Sequence, residues 1–181
     1  MNDASLHERV ARLEAVEAIR ELKARYAALA DAKYTSTHER QPADVLARVA
    51  WDQALCFTED AVWEGGAGFG DSLVGRAQLH EWFKRSPWCF AAHYYGSPQF
   101  DIRADEASGT WRLWQLAMRE DTREVVLLAA VTRERYRRDA DGAWRCAYMN
   151  FAQIHLAPLG AGASPLAATL AALDAARSVR A

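Results

Sequence analysis

Residues 91–156, AAHYYGSPQFDIRADEASGTWRLWQLAMREDTREVVLLAAVTRERYRRDADGAWRCAYMNFAQIHL, decide the fold. Apolar and polar residues alternate along them with a period of two, the spacing of strands half-buried in a sheet. Turn-forming clusters interrupt the alternation at Asp105-Glu106-Ala107-Ser108, Asp121-Thr122-Arg123 and Asp139-Ala140-Asp141-Gly142. Four long strands are expected, over 91–103, 109–120, 124–139 and 143–156. Connections this short join antiparallel neighbours. Strands of about 12 residues exceed the usual ~5–6, and a sheet built from them curls.

Upstream the period becomes helical. Leu6, Val10, Leu13, Ile19, Leu22, Tyr26 and Leu29 fall on one stripe of a helix over 5–33, with Ser5 and Glu8 in capping-box spacing at its start. Residues 34–41 are polar and read as a loop. Pro42 suits the first turn of a second helix reaching about residue 57, with Val45, Val49 and Leu55 inward. A short strand is expected at 61–64, followed by a glycine-rich loop that lacks the ending and the flanking elements of a phosphate-binding turn. A third helix over 76–85 closes at Ser86-Pro87. Beyond the last strand, Leu166, Leu170, Leu173 and Val179 mark a helical stripe in an alanine-rich tail, read as docking on its own subunit or on a partner. Helices first and long antiparallel strands afterwards make the chain α+β. The expected architecture is a cone-shaped α+β barrel, a highly curved antiparallel sheet wrapped around the N-terminal helices. It is one domain over 1–157, with the helical tail over 158–181.

Composition narrows the function. The 181 residues are 51% apolar with a net charge of −2. That suits one domain with a real core and gives no basic field for nucleic acid or an acidic membrane surface. No apolar run approaches the ~20 residues of a membrane span, and the N-terminus has no signal-peptide pattern. Cys56, Cys89 and Cys146, odd in number and far apart, read as reduced thiols of a cytoplasmic protein. Seven tryptophans supply an excess of flat apolar surface. Trp111 and Trp114 point to opposite faces of their strand, so this surface is divided between the cone lining and the outer sheet face.

An aromatic-lined cone suits an apolar small molecule. Alternation places His93, Tyr95 and Ser97 on one face of their strand and Tyr94 on the other. An imidazole is the side chain best matched to proton transfer near neutral pH. Asp31 ends the first helix, where an acid opposes the macrodipole unless something rewards it. Holding a histidine Nδ1 would be such a reward. Tyr26 lies ~140° around the helix from Asp31, so both line one cavity only if it wraps the helix end. Trp144, Cys146, Tyr148 and Asn150 share a face of the last strand, and the Asn150 amide, among apolar neighbours, needs either a backbone partner or a ligand. Gln115, polar at the centre of its strand, and Trp63 complete the expected lining. His93 also reads as an ordinary wall residue, Asp31 as a solvated helix end and Tyr26 as core. No His, Cys or carboxylate cluster has ligand spacing, and no Gly-x-Ser-x-Gly elbow occurs, so neither a metal, another cofactor nor a covalent nucleophile is expected.

Several stretches, in this order, resemble the SnoaL-like members of the NTF2-like superfamily over residues 6–157. They are Arg25-Tyr26-Ala27-Ala28-Leu29-Ala30-Asp31, then Phe57-Thr58-Glu59-Asp60-Ala61-Val62-Trp63-Glu64, Gly75-Arg76, His93, and Arg138-Asp139-Ala140-Asp141-Gly142-Ala143-Trp144-Arg145. The resemblance implies the same cone, usually dimeric. It extends to cofactor-free lyases, namely scytalone dehydratase, bile-acid 7α-dehydratase and hexachlorocyclohexane dehydrochlorinase. In these an Asp–His pair removes a proton, which implies His93 as base and Asp31 as its orienting partner. Tyr26 matches the tyrosine five residues before the aspartate in the bile-acid enzyme and resembles a pocket tyrosine of scytalone dehydratase, and Asn150 falls near a last-strand asparagine of scytalone dehydratase.

There are departures. Gln115 is the central polar residue of the strand where scytalone dehydratase has a second histidine, Tyr26 replaces the dehydrochlorinase's helix lysine, and the middle of the last strand carries no arginine. The implied function is a dehydratase-like lyase for a hydrophobic cyclic or polycyclic small molecule, with catalytic His93, Asp31 and Tyr26 and substrate contacts from Asn150, Tyr148, Tyr95, Gln115 and Trp63. A ketosteroid-isomerase-like isomerase, a non-catalytic apolar-ligand binder and the small subunit of a ring-hydroxylating oxygenase remain alternatives. The expected partner is a second copy of the chain, joined through the outer sheet face.

Overall fold

The computed structural model describes residues 3–159, so the expected tail helix lies outside the described residues. Helix α1 (Asp3–Asp31) buries Ala15, Ile19, Lys23, Tyr26 and Ala30 at three- and four-residue steps. The apolar stripe does not stay buried along its length, since Leu6, Val10 and Leu13 are exposed where the helix runs past the sheet. Ser5 lies within the helix rather than capping it, and the helix ends at Asp31, before the expected residue 33. Pro42 flanks α2 (Ala43–Ala54) with extended backbone instead of entering its first turn, and α2 buries Ala50, Gln53 and Ala54.

Strand β1 (Phe57–Glu64) is longer than expected. The glycine-rich stretch holds a one-turn helix, α3 (Gly66–Phe69), and a two-residue strand, β2 (Leu73–Val74). Gly66 has φ +59°, and a Cβ there would lie 2.7 Å from the Phe151 carbonyl oxygen, so the approach of α3 to the last strand requires glycine. Helix α4 (Gly75–Phe83) leads into the meander β3 (Trp88–Arg103), β4 (Glu106–Arg119), β5 (Val125–Arg138) and β6 (Trp144–Pro158). The sheet order is β2-β1-β6-β5-β4-β3. It is not wholly antiparallel, because β1 pairs in parallel with β6.

Alternation on β4 and β5 turns Trp111, Leu113, Gln115, Leu128, Ala130, Thr132, Glu134 and Tyr136 inward, while Trp114 stands on the outer face. Bulges reset the alternation elsewhere, two on β3 and two on β6, of which one on each strand bears on the site. On β6, Tyr136 pairs with Cys146 but Arg135 with Tyr148, so one extra residue intervenes. Cys146 therefore points inward, as do Met149 and Phe151 beyond the bulge, and Tyr148 and Asn150 are turned out. On β3 the bulge between Gly96 and Gln99 holds Ser97 at φ +48°, off the regular face.

Inside the sheet, α1 is fixed by an ion pair. Lys23 Nζ donates to Glu134 Oε1 at 2.5 Å, and both side chains are buried. Thr132 Oγ1 donates to the same oxygen at 2.6 Å, and Tyr136 donates to the other while accepting from Trp111 Nε1 at 2.8 Å. The ammonium also lies 4.1 Å from the Tyr95 ring centroid. Removing one charge from a buried pair strands the other, which costs about 3–5 kcal/mol. Lys23→Met is therefore expected to lower unfolding free energy by about that amount in urea titration. The double variant Lys23→Met/Glu134→Leu should recover much of the loss.

Candidate active site

Asp31 terminates α1 against β3. Its Oδ1 accepts from His93 Nδ1 at 2.6 Å, and the carboxylate also receives the His93 backbone N–H, at 3.1 Å to Oδ1 and 3.3 Å to Oδ2. These donors offset the unfavourable helix end. A carboxylate only accepts, so Nδ1 carries a proton, and in the neutral ring the lone pair is then on Nε2. The imidazole is 14% exposed and faces a cavity of about 60 Å³ among Tyr26, Lys33, Trp63, Tyr95 and Gln115. Two larger depressions, of about 590 and 430 Å³ around Asp101 and Arg135, share no residue with it. They are open, charged grooves, whereas the His93 cavity holds the paired imidazole.

Around the end of α1 the cavity is lined by Tyr26, Ala30 and Lys33, while Asp31 reaches it only through His93. Tyr26 packs edge-on against Phe57, Phe83 and Tyr95. Burial, and then the Glu134 charge, push its phenol well above the ordinary range, so it stays a neutral donor. Burial followed by neighbouring Tyr26 does the same for Tyr95.

Lys33 is a wall residue that motif reasoning overlooked. It sits just past the helix, where Tyr34 N–H bonds the Asp31 carbonyl at 3.1 Å and Gln41 N–H bonds the Lys33 carbonyl at 2.9 Å. The side chain is 5% exposed in residue terms, donates to the Phe83 carbonyl at 3.4 Å, and lies 5.4 Å from the Phe83 ring centroid. Among the described residues no carboxylate pairs with it. Burial pulls its pKa down to about 8, against an upward pull from Asp31 and a further downward push from Arg40. The signal was compositional. Only Lys23, Lys33 and Lys84 are lysines among 22 basic residues, and two of the three are buried. Two further cavity residues carry buried polar atoms with no protein partner, Gln53 Oε1 and Trp63 Nε1.

Five of the eight expected site residues line this cavity, namely His93, Tyr26, Tyr95, Gln115 and Trp63, and Asp31 stands behind the histidine. Tyr148 and Asn150 do not join them. The β6 bulge directs both to the outer face, where they donate to Glu64 Oε2 at 2.6 and 3.0 Å and Arg135 lies 4.5 Å over the Tyr148 ring. The Asn150 amide thus has a carboxylate partner. Burial raises the Cys56 thiol to about 11 and Cys146 well above its usual value, so neither is an activated nucleophile. Among the described residues no three His, Cys, Asp or Glu side chains are grouped to hold a metal ion.

Residues 47–150 match the SnoaL-like domain family. No curated protein sequence matches the chain. Solved structures do. A type 3 hexachlorocyclohexane dehydrochlorinase from Novosphingobium barchaimii is 20% identical, with TM-score 0.68 over 88% of this chain and 98% of its own. A candidate scytalone dehydratase from Novosphingobium aromaticivorans is 15% identical, with TM-score 0.63 over 86% and 95%. An NTF2-like protein with a cystatin-like fold from the same species is 22% identical, with TM-score 0.61 over 96% of each chain. These likenesses establish the fold.

Lys33 gives a pH signature. Its folded pKa of about 8 lies below the ordinary 10.5. Below pH 8 both states hold the proton and the folded state bears the whole desolvation cost; between 8 and 10.5 the unfolded state binds more protons, so stability rises with pH. Lys33→Met is expected to be more stable than the parent by up to about 3 kcal/mol at pH 7, an advantage fading toward pH 10.5. Urea midpoints that stay parallel across this range would contradict it.

Proposed function

This chain belongs to the SnoaL-like domain family, and on that premise we propose that it is a cofactor-independent, dehydratase-like lyase for a hydrophobic cyclic small molecule. The supporting observation is the 2.6 Å contact between Asp31 and His93 at the wall of an aromatic cavity. His93 Nε2 removes a proton from carbon beside a carbonyl group. The C–H pair passes into an enolate and then into the product carbon–carbon double bond as the C–O bond at the next carbon breaks, and the imidazolium returns the proton to the departing hydroxide, giving water. Asp31 holds the tautomer and stabilises the imidazolium. Tyr26, neutral throughout, donates to the departing oxygen. The neighbouring dehydrochlorinase and candidate scytalone dehydratase are consistent with an elimination.

The cavity favours a single ring over a polycycle. Its 60 Å³ is less than the roughly 150 Å³ of a cavity that takes benzene, so entry requires half-buried Phe69 and Trp82 to move. The small volume also favours a second reading, a structural subunit with a filled cone. Lys33 and the unpartnered atoms of Gln53 and Trp63 weigh against it, because a purely structural core satisfies its polar groups. No described helix is long and apolar enough to cross a membrane, and three buried free thiols fit a cytoplasmic setting. A homodimer through the outer sheet face accords with cross-strand partners Tyr94 and Trp114, which are 66% and 54% exposed.

Turnover on a panel of cyclic β-hydroxy ketones tests the chemistry. His93→Ala should lose ~10²–10⁴-fold in kcat with unchanged circular dichroism, and Asp31→Asn should fall in the same direction. Wild-type turnover in His93→Ala would end the lyase reading. Light scattering checks the dimer, and Trp114→Arg should shift it to monomer.

A further inference from the structure

We infer that Lys33 is a second substrate-facing group of this site, holding the oxygen that becomes negative when His93 takes the proton. The substrate is then a carbonyl compound whose acidic carbon faces His93 and whose oxygen faces the ammonium. This rests on the lyase reading and adds the polar half of the ligand to it.

The argument begins with the contrast between two buried lysines. Lys23 is satisfied, with Glu134 at 2.5 Å and the Tyr95 ring at 4.1 Å from Nζ. Lys33 has three donors and one long bond to a carbonyl, 3.4 Å from Nζ. Asp31, close in sequence, attracts the ammonium but forms no ion pair with it, its carboxylate being engaged by the side chain and backbone of His93. A buried cation without a counter-charge in contact is costly unless an anion arrives. The cavity is where one can arrive, because Lys33, His93, Gln53 and Trp63 all belong to its lining.

Burial of the ammonium is built into the fold. Residues 34–41 turn back beside Lys33, with Gln41 N–H on its carbonyl at 2.9 Å, and Tyr34 OH meets Ser86 Oγ at 2.9 Å. Arg40 is anchored by Glu120 at 2.6 Å and by the Trp88 carbonyl at 3.3 Å. Aromatic side chains make up much of the wall, and a charge fixed in such a site stabilises a developing oxyanion more than the same charge in solvent would. As the C–H bond breaks, its pair forms the carbon–carbon bond of an enolate and the carbonyl pair moves to oxygen. Lys33 donates a hydrogen bond to that oxygen and keeps its proton. When hydroxide leaves with the C–O pair and takes the proton from His93, the oxygen pair restores the carbonyl and the enolate carbon–carbon pair shifts to form the product double bond.

4-Nitrophenolate is a one-ring stand-in for the enolate, and its ionised form is read by absorbance. Titrations across pH 6–9 are made on the parent, Lys33→Met, Lys33→Arg and His93→Gln. The parent should bind the ionised form in preference to the phenol. Lys33→Met should lose roughly 10–100-fold in phenolate affinity, the worth of a charged hydrogen bond, with phenol binding unchanged. Lys33→Arg should retain part of the preference, and His93→Gln should keep it. Equal phenolate affinity in Lys33→Met, loss of the preference in His93→Gln alone, or no phenolate binding by the parent overturns the assignment. Lys33-dependent phenolate binding together with His93-independent turnover would instead fault the lyase reading and leave Lys33 as an anion site.

Discussion

The buried pair of Lys23 and Glu134 is the contact on which the geometry of the cone depends. It joins the middle of α1 to the inner face of β5, and Thr132, Tyr136 and Trp111 hold the carboxylate in place. Leucines can slide against a curved sheet with little change in burial, whereas an ion pair tolerates one axial position. At 1.5 Å per residue, Asp31 lies about 12 Å further along the helix, and that distance sets it against β3 at His93. Such a pair adds little net stability over an apolar replacement, and its contribution here is to register.

Much of this was legible because it rests on periodicity. The period-two run over 91–156 produced the meander, and the three-residue step from Trp111 to Trp114 correctly split them between the two faces. Asp31 stood out electrostatically as an acid at the wrong end of a helix, and the reward is found in His93. The outward turn of Tyr148 and Asn150 was not legible. The bulge between Cys146 and Tyr148 has neither glycine nor proline to announce it, and one extra residue inverts the positions from Tyr148 to Phe151, up to the next bulge. The parallel pairing of β1 with β6 was hidden for a related reason, since it joins segments far apart in sequence and no local pattern encodes such a neighbour.

The two buried lysines separate what maintains the fold from what is left over. Around Lys23 every charge is answered within the protein, while around the His93 cavity several polar groups are not. Solved structures 15–22% identical share the architecture, so the curl of the sheet survives wholesale change of side chains.

Its preference for arginine has a practical corollary. With Lys23 and Lys33 enclosed, Lys84 is the one lysine amine within easy reach of solvent, and it sits at the end of α4 beside Glu81. An amine-directed fluorophore or cross-linker would therefore mark this protein at a single known lysine on the helical side. The acid-rich, arginine-rich sheet would be left chemically untouched.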